Sequence, residues 1–330
     1  MKKFRYLLTV AVASLSLAGC DFIQIVDSDS DSSEAEVVVD PVVIDEYYKG
    51  YKLTASGGRL ALELQQNCFD KHKNYITYGQ VNSYYVTNSS HDSAEAVAPG
   101  SKKNQWFYTG KEATGTGTRE HVWPCANSSQ LWIHDDSAGV HYVDYSYYVG
   151  GGSDLYHVRT ANSAVNTARG NSKFVDFSDP AFDAIRSGVE EVGESNGKYV
   201  IKIQGHSRTA SGQIQYAQKC EPADEMKGDI ARIITYVWVH YTERGITPSG
   251  SITSGKNQYK YSDMTGQLSL TNIMGYESVA KCKEVLKAWN KLDPPSNVEK
   301  HRNDTVQKIQ GNRNPFVDYP DLMDQLFIEE

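Results

Sequence analysis

The chain has 330 residues, with 33 Lys and Arg against 41 Asp and Glu, and a formal net charge of −8 at pH 7. That balance excludes a broadly basic surface of the kind that coats nucleic acid, so any phosphate-binding groove must be a local concentration of Lys and Arg. A single short apolar run at the N-terminus, with no second long one, excludes a multi-span membrane protein.

Lys2, Lys3 and Arg5 precede an apolar run from Leu7 to Leu17 that is too short to span a membrane stably, the pattern of a secretory signal over residues 1–19. It closes on Leu17-Ala18-Gly19-Cys20, which resembles the lipobox of a bacterial lipoprotein, with Cys20 as the acylated N-terminus. The expectation is an exported chain, lipid-anchored in the cell envelope at the periplasmic face or the cell surface. Residues 20–46 carry nine acids and no Lys or Arg, which reads as a disordered acidic tether. With those charges set aside, residues 47–330 are nearly neutral and long enough for one large domain. Four further cysteines, Cys68, Cys125, Cys220 and Cys282, make two disulfides the expectation in an exported chain, with three pairings open. None lies in a C-x-x-C pair, so a zinc ribbon has no support.

Within the folded region, Leu60, Leu62, Leu64 and Phe69 predict a helix over 58–72, and Tyr75 to Gly79 a strand or turn. A Gly/Thr-rich turn from Gly110 to Thr118 leads into Arg119-Glu120-His121-Val122-Trp123-Pro124, where Pro124 ends a short strand. Tyr142 to Val149 alternates aromatic and small residues. Leu155 to Val158 reads as a short strand, followed by a helix from Asn162. The strongest helical pattern covers 222–241. Two more helices follow over 278–292, stopped by Asp293-Pro294-Pro295, and 299–310, ended by Gly311. The class is α+β, with short strands among helices.

Two clusters could carry chemistry. Glu120 and His121 are neighbours on a strand, so they reach one site only where the strand bends or ends. Asp154 and His157 precede Asn162, Asn166 and Arg169, which share one helical face that is either a polar site or a solvated surface.

Together the clusters resemble the endonuclease I family, whose pattern is R-E-H-x-x-P followed by D-L-x-[HN] and N-x-x-R-G-N. This chain has R-E-H-V-W-P at 119–124 and D-L-Y-H-V-R-T-A-N-S-A-V-N-T-A-R-G-N at 154–171. The similarity extends through E-P-A-D-E-M-K-G-D-I-A-R at 221–232, W-N-K-L-D-P-P at 289–295 and the stretch 302–320. The resemblance implies a ββα-metal (His-Me finger) active-site core surrounded by helices, and hydrolysis of DNA, with RNA as a second candidate substrate, to 5′-phosphate products. By the same resemblance His121 is the general base, and Glu120 and Asn166 hold Mg²⁺, with Mn²⁺ as a substitute. Arg169 sits near the phosphate, while Asp154 and Asn162 support the site from behind. Lys227, Asp229, Arg232, Arg302 and Arg313 recur in the later motifs, as ion pairs or as DNA contacts. The implied partners are nucleic acid and, through Cys20, a membrane, with no obligate protein partner. Two departures stand out: residues 122–153 contain no Lys or Arg where family members carry an arginine that supports the cleaved phosphate, so that either Arg159 or Arg169 substitutes for it or turnover is weak or the substrate preference altered, and Thr118 stands where Asn commonly precedes R-E-H. The alternative is a lipid-anchored module that binds nucleic acid or glycan without cutting, to which the 22 tyrosines would lend stacking surfaces. The intact Glu120, His121 and Asn166 argue for catalysis.

Overall fold

The computed structural model describes residues 41–328, apart from 114, 116, 125–126, 128–148, 194–199, 216, 246–250, 255–256 and 261–265. The expected signal, Cys20, most of the tether, Cys125 and most of the 142–149 alternation therefore lie outside the described residues.

The first helix, α1 (Pro41–Tyr47), begins inside the stretch assigned to the tether. The aromatic pair at its end explains why: Tyr47 and Tyr48 are buried, Tyr48 donates its hydroxyl to Asp318 (2.7 Å), and Tyr47 Oη accepts the Arg313 amide (2.9 Å). Helix α2 (Gly57–Lys71) agrees with its apolar spacing, and Tyr78–Tyr85 forms a 3₁₀ helix opened by a Thr77–Gln80 capping box. The strand β1 (Thr118–His121) pairs antiparallel with β2 (Val158–Ala161), Glu120 opposite Arg159 and His121 opposite Val158. Helix α3 (Ser163–Arg169) follows at once. Residues 155–157 are a turn instead of the expected strand, because the Asp154 carboxylate takes the Tyr156 amide (2.8 Å) and bends the chain.

The strands β3 (Lys173–Phe174), β4 (Glu190–Gly193), β5 (Val200–Gln204), β6 (Ser207–Arg208), β7 (Ile214–Gln215) and β8 (Lys219–Glu221) come next. Four of them form a sheet in the order β3-β8-β5-β4, parallel only between β3 and β8. Then come α4 (Asp224–Tyr241), β9 (Ser251–Ser254), β10 (Asn257–Lys260), α5 (Leu270–Ile273), α6 (Val279–Leu292), α7 (Asn297–Gln310), α8 (Pro315–Asp318) and α9 (Leu322–Leu326). The class is mixed α+β, as expected. No helix among the described residues is long and apolar enough to cross a membrane.

Helix α4 is the axis of the core, buried from Met226 to Tyr241 except at Trp238. It packs on α2, α6 and α8. Gly228 permits the approach: a Cβ there would fall 1.8 Å from the Asp293 carbonyl oxygen. Burial of α4 takes Lys227, Asp229 and Arg232 inside, where each has a partner. Arg232 is bidentate on Glu299 (2.7 and 2.6 Å) and 3.2 Å from Asp229; Lys227 lies 2.8 Å from Glu221. Arg313 pairs with Asp304 and Asp318, and Arg302 with Glu95 (3.3 Å). The later motifs thus contribute ion pairs of the interior. Cys68, Cys220 and Cys282 are buried free thiols. Two bridges among four cysteines would need at least one pair within these three, so the two-disulfide expectation is corrected; the thiols sit in α2, β8 and α6 and serve as core residues.

Candidate active site

The turn before β1 depends on Gly117, whose φ of 62° is left-handed and whose absent Cβ would fall 2.2 Å from Trp106 and 2.6 Å from the Ala161 carbonyl oxygen. This brings β1 against β2 and fixes which of its side chains meet α3. Thr118 and Glu120 alternate onto the α3 side. Asn166 donates to Thr118 Oγ1 (3.0 Å), and Arg169, one helical turn later, lies 3.1 Å from Glu120. The carboxamide oxygen of Asn166 and the carboxylate of Glu120 thereby belong to one helix–strand seam.

Glu120 is buried, and its Oε1 takes the Tyr108 hydroxyl at 2.5 Å. Tyr108 holds a φ of 74°, a left-handed conformation that is costly for an aromatic residue and that occurs here in the turn at 108–109. Burial outweighs the pull of Arg169, so the Glu120 carboxyl is pushed up to about 7. Arg169 and the Tyr108 hydroxyl therefore compensate its ionised form only in part, and a divalent cation beside it would add to that compensation. Carboxylate and carboxamide oxygens are hard donors of the kind Mg²⁺ takes.

His121 ends β1, where the chain bends at Val122 and Trp123. Its Nε2 lies 2.9 Å from the Gly152 carbonyl oxygen; a carbonyl only accepts, so Nε2 carries the proton and Nδ1 the lone pair of the neutral ring. The ring stacks on Tyr78 with centroids 5.5 Å apart. Burial, reinforced by His157 and by the nearby arginines, lowers its pKa to about 3, so the ring is neutral at ordinary pH. His157 holds the flanking loops together: its Nδ1 lies 2.6 Å from the Gly151 carbonyl oxygen, and its Nε2 accepts the Trp123 amide (2.9 Å).

Of the other expected site residues, Arg169 is almost fully buried (1% exposed). Its guanidinium donates to the carbonyls of His121 (3.2 Å) and Val122 (2.5 Å), which clamps the strand end and turns it away from solvent. Asn162 caps α3, its side-chain oxygen accepting the Ala164 and Val165 amides. Arg159 is bidentate on Glu95 (2.9 and 3.0 Å). Asp154 is the hub of a buried network: Oδ1 accepts from Tyr156 N and Gln310 Nε2 (2.9 Å), and Oδ2 from Tyr236 (2.6 Å) and Tyr241 (2.7 Å). These four donors hold the turn that presents Gly151 and Gly152. Ligating atoms of His72, Asp154 and His240 also fall within 4.8 Å of one another. Both Asp154 oxygens there already accept two donors each, and both imidazoles are held neutral by burial.

Tyr78, Tyr108, Gly152 and Tyr236 were not singled out from the sequence. Each acts across 12 or more residues of chain, a distance over which residue spacing gives no signal.

A family model described as Endonuclease I matches residues 58–321. The extracellular ribonuclease of Bacillus amyloliquefaciens is 32% identical over 216 residues, 65% of this chain and 55% of that protein. The extracellular ribonuclease of Bacillus subtilis (strain 168) is 30% identical over 214 residues, 64% of this chain and 54% of its own length. The chain thus spans about half the length of the curated relatives it matches.

Proposed function

The chain belongs to the endonuclease I family, and from that premise we propose that it is a metal-dependent endonuclease that hydrolyses the phosphodiester bonds of both DNA and RNA. The observation that carries this reading is the His121–Gly152 hydrogen bond, because it prepares a neutral imidazole with its lone pair on Nδ1, on the residue that follows Glu120 at the end of the strand. Such a ring accepts a proton from water as the water attacks phosphorus; with its pKa lowered to about 3 it is a weak base by itself, and the negative charge of a phosphate bound beside it would raise that value toward the working pH. Water as nucleophile needs no 2′-hydroxyl, so the chemistry does not discriminate between the two sugars; the relatives named as ribonucleases support RNA as one substrate.

Glu120 and Asn166 would hold the cation, Mg²⁺ or Mn²⁺ in its place. When bound, the cation polarises the phosphate and neutralises charge on the departing 3′-oxygen, leaving a 5′-phosphate product. Tyr108 and Arg169 fix the Glu120 carboxylate, and Thr118 fixes the Asn166 carboxamide. Arg169 thus positions the metal ligand and the strand end and does not contact the phosphate. Asp154 holds the turn that offers Gly152 to His121, and Asn162 starts the helix that carries Asn166. At the N-terminus, the secretory pattern and Cys20 support export and lipid anchoring in the cell envelope.

Nicking of supercoiled plasmid and digestion of single-stranded RNA with Mg²⁺, with and without EDTA, test the activity against His121→Ala. The wild type should cut both polymers only with the cation, and the variant should be slower by at least about 10²-fold. Equal cleavage by both proteins would sink the mechanism. Cys20→Ser should release the protein from membranes, and its retention there would contradict the anchor.

A further inference from the structure

Neither arginine expected to replace the missing phosphate support is available for it. Arg159 is buried in its bidentate pair with Glu95, and Arg169 is buried between Glu120 and two backbone carbonyls. Residues 122–153 contain no Lys or Arg. Attack on a phosphodiester nevertheless builds negative charge on the non-bridging oxygens, and a donor aimed at that charge is worth most in a partly buried site.

Arg119 stands in the right place. It lies two residues before His121 on β1, so the two side chains share one face of the strand, their Cα atoms about 7 Å apart. One aromatic ring receives both: the guanidinium carbon of Arg119 lies 3.8 Å from the Tyr78 centroid, and the His121 ring stacks on the same Tyr78. Arg119 Nη1 also donates to the Tyr78 carbonyl (2.7 Å). A guanidinium has five N–H donors, and stacking on a ring face leaves its edge to hydrogen-bond in the ring plane. Among the described residues no carboxylate pairs with Arg119, which is half-buried, whereas Arg159, Arg169, Arg232, Arg302 and Arg313 all have one.

We propose that Arg119 binds a non-bridging oxygen of the cleaved phosphate, supplying from the first motif the cationic support that the segment between the motifs lacks. The proposal rests on the nuclease reading above. Tyr78 holds the base and the phosphate-binding cation at a fixed spacing, and Arg119 is therefore a catalytic residue.

The test uses the full chain, Mg²⁺ and an end-labelled oligonucleotide that carries, at one cleavage position, either a phosphate or a stereopure Rp or Sp phosphorothioate. Arg119→Met should lower kcat by about 10²- to 10³-fold with little change in KM, and Arg119→Lys should recover part of the loss. Sulfur at one of the two non-bridging oxygens should slow the wild type but cease to slow Arg119→Met, while the effect at the other oxygen stays as it was. Wild-type rates in Arg119→Met would overturn the proposal. So would a slow variant with both sulfur effects unaltered, since that would make Arg119 a support for Tyr78 and His121 only. If the wild type cuts neither DNA nor RNA, the nuclease reading fails and this proposal with it. If the wild type cuts and the arginine variants match it, the proposal alone fails.

Discussion

Asn166 donates its side-chain N–H to Thr118 Oγ1 across 3.0 Å, and this bond decides which end of the carboxamide is presented to a cation. The residue that departs from the commonest family pattern is thus the one that orients a proposed metal ligand. Thr118→Val keeps the shape and removes the acceptor. Its apparent Mg²⁺ affinity, read from the metal dependence of cleavage, should fall about 10- to 100-fold, and Thr118→Ser should restore most of it. An unchanged metal titration in Thr118→Val would remove Thr118 from the site.

The two asparagines of the α3 face separate by what they touch. Asn162→Ala loses only the cap bonds to Ala164 and Val165, so it should cost about 1 kcal/mol of stability and leave the metal requirement as it was. Asn166→Ala should leave stability nearly unaltered and raise the Mg²⁺ concentration needed for half-maximal cleavage by tenfold or more. Thermal melts and metal titrations of the two variants side by side decide the matter, and a reversed pattern would exchange their roles.

Arg169→Met leaves the Glu120 carboxylate without its ion pair and the His121 and Val122 carbonyls without donors, all inside the molecule. Removing one partner of a buried pair costs about 3–5 kcal/mol, and a denaturant melt should show a loss of that size. Cleavage measured well below the lowered melting temperature should also be slow, because the strand end that carries His121 is no longer clamped. A variant with wild-type stability would show that the buried guanidinium is not holding the strand end.

Acid should destabilise the fold well above the carboxylate range. Burial lowers the pKa values of His72 and His157 to about 4 and that of His240 to about 3, against 6.5 as the ordinary value. The unfolded chain then binds more protons than the folded one between pH 6.5 and those values. The stabilisation is fully present above 6.5 and is lost progressively as pH falls toward 3–4. Asp154, held below the carboxylate range by its histidine neighbours and hydrogen bonds against the effect of burial, adds a loss of the same sign at still lower pH. With three groups shifted by two units or more, the total is several kcal/mol. Glu120 and Asp293, raised to about 7 and about 6, act with the opposite sign and offset part of this loss. In Glu120→Gln, which removes the larger offset, the melting temperature should drop from pH 7 to pH 4; a flat profile in that variant would mean the imidazoles are not buried in their neutral form.

Local patterns carried much of the fold. Apolar spacing placed α2, α4, α6 and α7 within a few residues of their ends, since helix periodicity is a property of neighbours on one chain. The short strands from β3 onward were not legible, because strands of two to five residues are set by pairing with distant partners. The tether boundary was misplaced for a related reason: the acids of residues 40–46 mask two tyrosines that find their burial against residues 313–319.

By itself the sequence determined the two motifs, and with them Glu120, His121 and Asn166, because their order and spacing carry the family resemblance. The partners of the arginines were decided only by the tertiary structure. An arginine reads the same in a sequence whether its charge meets a carboxylate or a substrate. The folded chain gives Arg159 to Glu95 and Arg169 to Glu120, whereas it lays Arg119 on the ring that carries His121. Which arginines the interior neutralises is a property of contacts between residues far apart in the chain, and spacing along the sequence does not carry it.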